Sequence, residues 1–284
     1  MKLLAISDLH VRHKRNRQAL ETLSAHPDDW LILAGDIGET AAQLADVFAT
    51  LGSRFAQLIW VPGNHELWTK PSAPVRGVPH YEALVEVARE HGVLTPEDPY
   101  PLFEGEDGPA YLCPLFLLYD YSFRDPSITK KEALKASAAV GITCSDEWFL
   151  APSPYPSREA WCEARVDLTE RRIDELPEST PKVLINHFPL RQDLVRLPRI
   201  QPFELWCGTK KTHDWHQRWN TQVCVHGHLH LRATDWRDGV RFEEVAVGYP
   251  RHWVQGKPWD RYLRTILPGP PIPQGGHVGP IWHR

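Results

Sequence analysis

No uncharged apolar run among the 284 residues approaches the roughly 18 residues that a membrane-spanning helix needs, so a membrane-embedded chain is not expected. After Met1 and Lys2 the chain enters Leu3-Leu4-Ala5-Ile6 and at once meets Asp8, which leaves no place for the apolar segment and cleavage site of a secretion signal. Cysteine is scarce and scattered: Cys113, Cys144, Cys162, Cys207 and Cys224 form an odd set without a C-x-x-C pair. That pattern speaks against a disulfide scaffold and fits reduced, buried thiols in a cytoplasm. An excess of positive charge is missing too. With 32 Lys and Arg against 36 Asp and Glu, the net charge is −4, the wrong sign for a general nucleic-acid binder, whose affinity rests on cations facing phosphates. No nucleic-acid partner is expected, and any basic site must be local.

What is present is enough apolar sequence for a large core, 42% of the residues, within the length of a single α/β domain. Short β-rich runs at 3–6, 30–34, 58–61, 111–114, 183–185, 223–225 and 240–247 mostly end in a polar cluster, as buried strands do when their ends carry function. Helices are expected over about 15–25, 40–51 and 81–91, the last with Pro79 near its start and Gly92 just past its end. The alternation predicts a layered fold of sheets covered by helices, with ligands outside the carboxyl ends of the strands. We read residues 1–266 as one domain, with an inserted cap at about 124–156, and 267–284 as a Pro- and Gly-rich tail that wanders or drapes over the surface.

The polar clusters carry the chemistry. Asp8-Leu9-His10 puts a carboxylate and an imidazole at alternate positions of an extended strand end, on one side. Gly35-Asp36 follows the next strand, and Asp36 is placed to bridge two cations. Gly63-Asn64-His65-Glu66 offers an amide oxygen and an imidazole, Asn186-His187 another imidazole, and Gly227-His228-Leu229-His230 two more at alternate positions. Each triplet alone is more often a turn or a core histidine. Together they provide oxygen and nitrogen donors without thiolate, a set suited to borderline divalent metals, with Mn, Fe, Zn and Ni all compatible.

The order D-x-H, G-D, G-N-H-E, H, G-H-x-H resembles the calcineurin-like metallophosphoesterase superfamily from Asp8 to His230. The resemblance implies two mixed β-sheets sandwiched between helices and a dinuclear site at the strand ends. Carried across by position, Asp8, His10, Asp36 and His230 would hold one metal and Asp36, Asn64, His187 and His228 the other. His65 would act beside the leaving group rather than as a ligand, oriented by Asp36 or Glu66. The reaction implied is two-metal hydrolysis of a phosphate ester. The G-D-x-V-D-R-G of the protein Ser/Thr phosphatases is absent, since the chain reads Gly35-Asp36-Ile37-Gly38-Glu39.

Segments beyond the ligands, among them Leu117-Leu118-Tyr119-Asp120-Tyr121-Ser122-Phe123, Leu205 to Thr209 and Asp238 to Pro250, are similar to the actinobacterial phosphopantetheinyl hydrolases, with His226 where a Tyr is expected. This likeness implies cleavage of the phosphodiester that joins 4′-phosphopantetheine to the serine of an acyl carrier protein. Tyr119, Asp120, Tyr121, Arg191 and Trp206 are candidate substrate contacts. Residues 191–220, where Arg191, Arg196, Arg199, Lys210, Lys211 and Arg218 alternate with Phe203, Trp206, Trp215 and Trp219, either present cations to an acidic partner or form a solvated loop with its rings packed inward. A generic phosphomonoesterase, a cyclic-nucleotide phosphodiesterase and a non-catalytic scaffold are the alternative functions.

Overall fold

In the computed structural model, residues 1–274 and 278–283 are described. The first strand, β1 (Leu3–Ile6), shows why the layers form. Leu3 and Ala5 point into a core between two sheets, while Leu4 and Ile6 point into the outer core under the helices. Apolar residues on both faces mark a strand covered on both sides. β1 pairs in parallel with β2 (His26–Leu33), and β2 with β3 (Phe55–Trp60); β10 (Arg264–Leu267) closes the other edge of β1 antiparallel, giving the order β10-β1-β2-β3.

The second sheet has seven strands in the order β11-β8-β9-β7-β6-β5-β4. Here β5 (Gly108–Pro114), β6 (Lys182–Ile185), β7 (Thr221–His226) and β9 (Val240–Glu244) are parallel; β4 (Leu102–Gly105), β8 (Ala233–Arg237) and β11 (Val278–Trp282) join antiparallel. Both sheets are therefore mixed or edged by an antiparallel strand, as expected. Ile32, Ile59, Leu112, Val183, Val223 and Ile266 fill the space between them, each buried side chain contributing about 1.5–3 kcal/mol relative to exposure.

Helices cover the outer faces. α1 (Lys14–Leu20) is shorter than its expected span, and α2 (Ala41–Gly52) starts where Thr40 accepts a hydrogen bond from Gln43 N. On α2, Leu44, Val47, Phe48 and Leu51 form the buried stripe of an amphipathic helix. α3 (Val78–Glu90) carries Pro79 in its first turn. Between β5 and β6 lie α4 (Lys130–Ala139), the single turn α5 (Asp146–Phe149) and the long α6 (Arg158–Asp174); another single turn, α7 (Trp215–Arg218), precedes β7.

Within the tail, Val278–Trp282 form β11, an edge strand on β8, and 268–274 form no helix or strand, while 275–277 and 284 lie outside the described residues. All five cysteines are free and buried. No helix among the described residues is long and apolar enough to cross a membrane.

Candidate metal centre

β1, β2, β3, β6 and β7 end at the same side of the molecule, and the segments leaving them are clamped by backbone hydrogen bonds. Asp8 N donates to Gly35 O at 2.9 Å, His10 N to Asp36 O at 3.0 Å, and Gly227 N to His187 O at 3.0 Å. Asp8, His10, Asp36, His228 and His230 all have positive φ, between 41° and 70°. Such conformations cost about 1–3 kcal/mol each and persist only where surrounding structure imposes them. The glycines of the motifs make the approach possible. At Gly227 a Cβ would meet Asp8 Oδ2 at 2.3 Å, and at Gly63 it would meet Asp36 Oδ1 at 2.1 Å.

Ligating atoms converge in three groups. Asp8, His10 and His230 form one set and Asp36, His187 and His228 another, each with one donor per residue within 4.8 Å of the others, and a third group, His10, Asp36 and His65, overlaps both. Asp36 Oδ2 lies between the sets, 3.9 Å from His10 Nε2 and 3.6 Å from His187 Nε2. In these residues the protein fixes one polar atom and aims the other inward. Asp8 Oδ2 accepts from Ser7 Oγ at 2.6 Å and His228 N at 3.1 Å, leaving Oδ1 beside His230 Nε2 at 2.9 Å. Asp36 Oδ1 accepts from His65 N at 3.0 Å. His187 Nδ1 donates to Ala34 O at 2.9 Å, and Asn64 Nδ2 donates to Asp146 Oδ1 at 2.9 Å. His230 Nδ1 contacts His252 Nδ1 at 3.1 Å.

Three of the inward atoms, Asn64 Oδ1, His187 Nε2 and His228 Nε2, are buried without a hydrogen-bond partner in the protein. Orphaned buried acceptors are costly, and outer contacts that orient an acceptor toward a common point are the signature of a ligand shell. The charges agree. Burial, then the neighbouring Glu66 and Asp8, push the Asp36 carboxyl well above its usual range. Burial also pushes His10, His187 and His228 down, toward the neutral form that ligates. The residues present fit divalent cations, which would polarise a phosphate and supply hydroxide at neutral pH.

His65 sits beside the cluster with Nε2 3.8 Å from Asp36 Oδ2. Its Nδ1 faces Glu39 Oε1 at 3.4 Å, its ring lies 3.7 Å from that of Trp68, and Tyr249 Oη is 3.5 Å from Nε2. The expectation that Glu66 orients His65 is corrected: Glu66 is buried and instead accepts from the amides of Asp36, Ile37 and Gly63. Glu39 takes the orienting role. Burial pushes its carboxyl up, but the contacts with His65 and Arg12 outweigh this and hold it low. Glu39 was legible only as the acid three residues after Asp36, and Tyr249 only as part of the Asp238 to Pro250 segment; His252 carried no motif at all.

Two cavities meet at His65, Tyr249 and Arg251. One of about 440 Å³ is lined by Asp36, Asn64, His228 and His230 and by Leu197, Ile200, Phe203, Leu229 and Leu231. The other, about 610 Å³, is lined by Arg12, His13, Glu39, Trp68 and Pro250. The five candidate substrate contacts line neither. Tyr119 is buried and donates to Asp146, Tyr121 and Trp206 donate to Glu147, Asp120 accepts from Thr209, and Arg191 is held by Asp193 and His213 O. Their polar groups serve internal networks, because the strand-end position that exposed the ligands is roofed here by α5 and the 201–206 turn.

The basic segment packs its rings inward and keeps Arg199, Lys210, Lys211 and Arg218 exposed, most of its cations being paired with acids of this chain. Asp235 engages Arg196, Glu163 engages Lys211, and Glu170 and Asp174 engage Arg218, while Trp206, Trp215 and Trp219 are buried.

Asp146, from the inserted segment, accepts from Asn64 Nδ2, Trp68 Nε1 and Tyr119 Oη at 2.9, 2.6 and 3.0 Å. An Asp146→Ala protein is expected to bind Mn²⁺ about 10–100-fold more weakly, the usual scale for losing an outer-shell partner of a ligand. Chelator competition measures this, and wild-type affinity would show that Asn64 is held without Asp146.

The chain is 47% identical to the [Acyl-carrier-protein] phosphodiesterase PptH of Mycobacterium tuberculosis over 277 residues, 96% of this chain and 85% of that protein. The crystal structure of phosphopantetheinyl hydrolase (PptH) from Mycobacterium tuberculosis superposes with a TM-score of 0.89 at 47% identity, covering 95% of this chain and 96% of that one. Residues 1–232 match the family described as calcineurin-like phosphoesterase. With the strand-end histidines and carboxylates in one cluster, this establishes that the chain belongs to the calcineurin-like phosphoesterase family.

Proposed function

We propose that this chain hydrolyses the phosphodiester linking 4′-phosphopantetheine to a serine of holo acyl carrier protein. The observation that carries the reading is the 47% identity to an acyl-carrier-protein phosphodiesterase across 96% of the chain, joined to a site whose donors converge. Asp8, His10, Asp36 and His230 would hold one divalent ion and Asp36, Asn64, His187 and His228 the other; the donor set suits Mn and Fe. Water oxygen adds to phosphorus, the bond from phosphorus to the serine oxygen breaks, and the serine leaves as an alcohol. His65, with Nδ1 held toward Glu39, gives the departing oxygen its proton from Nε2. Tyr249, whose ring stacks on His10 at 4.4 Å, stands on the same side. The five free thiols suit a reducing cytoplasm.

Intact-mass measurement of a holo carrier protein incubated with the enzyme and Mn²⁺ tests the reading. The expected result is conversion to the apo form with release of 4′-phosphopantetheine, abolished in Asp36→Asn. Turnover of simple aryl phosphates alone would keep the metal chemistry and discard the carrier substrate.

A further inference from the structure

The two cavities that meet at His65 differ in chemistry. One has an apolar wall, with Leu197, Phe203 and Leu231; the other is lined by Arg12, and Arg251 lines both. The cationic side continues onto the surface. Between Asp8 and Glu21 the chain holds Arg12, Lys14, Arg15 and Arg17 and no carboxylate, and all four are exposed. Arg12 pairs with Glu39 at 2.7 Å, whereas Lys14, Arg15, Arg17 and Arg251 form no ion pair among the described residues. The positions are fixed by Asn16, which is buried. Its Nδ2 donates to Leu9 O at 2.8 Å and Gly248 O at 3.0 Å, and its Oδ1 accepts from Trp253 Nε1 at 3.1 Å. This staple sets the basic start of α1 beside the loop that carries Tyr249 and Arg251. In a chain of net charge −4, Arg191, Arg196, Lys211 and Arg218 are ion-paired, so Lys14, Arg15, Arg17 and Arg251, beside the paired Arg12, form a concentrated positive face next to the site.

We propose that the protein half of the substrate docks here, through a carboxylate-rich face of the carrier protein. The pantetheine arm then lies in the apolar cavity. This rests on the carrier-protein reading above and adds the polarity of the substrate to it. His65, which gives the leaving serine oxygen its proton, lines both cavities, so the direction of the substrate is set by the exposed cations of residues 12–17 on one side and the apolar wall on the other. A substrate placed the other way would set the carrier against the apolar side chains Leu197, Phe203 and Leu231. Charge complementarity at such a rim acts mainly on encounter, so it depends on ionic strength.

The test compares wild type with the double charge reversal Lys14→Glu/Arg15→Glu on two substrates, a holo carrier protein and bis(4-nitrophenyl) phosphate. The ratio of kcat/KM for the carrier to that for the small diester is expected to fall roughly tenfold, within the range of electrostatic steering. The loss should appear in KM, and the salt dependence of carrier turnover should flatten. If wild type releases phosphopantetheine and the reversal leaves the ratio and salt dependence alone, the docking surface is wrong while the function stands. If wild type releases none, function and surface fall together. Loss of binding to a single-stranded oligonucleotide, with carrier turnover untouched, would assign the face to nucleic acid and overturn the proposal.

Discussion

Asp36→Asn is expected to keep the fold and lose about three orders of magnitude in kcat/KM. The asparagine oxygen can still accept from His65 N, so the loop geometry survives. The other carboxylate oxygen becomes an amide nitrogen facing His10, His65 and His187, each with a ring nitrogen within 3.9 Å of it in the native chain. A donor then stands where a charge shared between two cations is required. Charge stabilisation by metal in such reactions is worth several kcal/mol, and about 4 kcal/mol corresponds to roughly 10³-fold in rate. In the metal-free protein the change relieves a carboxyl that burial, Glu66 and Asp8 already push toward protonation. The melting temperature in chelator should therefore hold or rise, while the gain on adding Mn²⁺ shrinks. A variant with two ions per chain and near-native turnover would remove Asp36 from the bridging position. His65→Ala is the contrast: full metal content, with a loss in the range of about 10²–10⁴ that general acids contribute.

The second large effect comes from one methyl group. In Gly63→Ala the new Cβ falls 2.1 Å from Asp36 Oδ1 and 2.6 Å from Asp36 N. Neither neighbour can yield freely, because Asp36 N donates to Glu66 Oε2 at 3.0 Å and Oδ1 accepts from His65 N. The strand-end loops must separate, costing about 1–3 kcal/mol as overpacking generally does, and the separation moves Asp36 Oδ2 away from both histidine sets. We expect a lower melting temperature, fewer than two ions per chain by elemental analysis, and turnover reduced at least about 100-fold, the scale set by displacing reacting groups by an ångström. Native metal content with only lowered stability would show that the loop adapts around the methyl.

The converging donors were legible because strand-end chemistry is local: Asp8, Asp36, Asn64, His187 and His228 each follow a run of apolar residues that had to be a buried strand. What those residues lean on was not, because it arrives from distant segments. Glu39, Asp146, Tyr249 and His252 act through contacts that no spacing encodes, and Asp146 lies 82 residues from Asn64. The strands show the same limit. β8 reads Ala-Thr-Asp-Trp-Arg, polar by composition, yet it is buried because Asp235 is paired by Arg196 and Arg237. β2 begins four residues before its apolar run, at His26, where the strand end is partly exposed and its register with β3 shifts. Tyr119, Tyr121 and Trp206 misled because a ring after a strand looks the same whether it faces a pocket or closes one. The basic residues of 191–218 allowed two readings because pairing is invisible along the chain, and the buried Trp206, Trp215 and Trp219 bear out the one with its rings packed inward.

The Asp146 carboxylate belongs to the segment between β5 and α6, the part of the chain most removed from the strand-end motifs, yet it receives the amide of Asn64. Exchange of that segment between homologous scaffolds is consequently constrained. A transplanted loop of matching length but without this acid would strand Trp68 Nε1 and Tyr119 Oη together with Asn64. Inheritance of Asn64, Trp68, Tyr119 and Asp146 as one set is the condition for recombining this region without dismantling the neighbouring metal position.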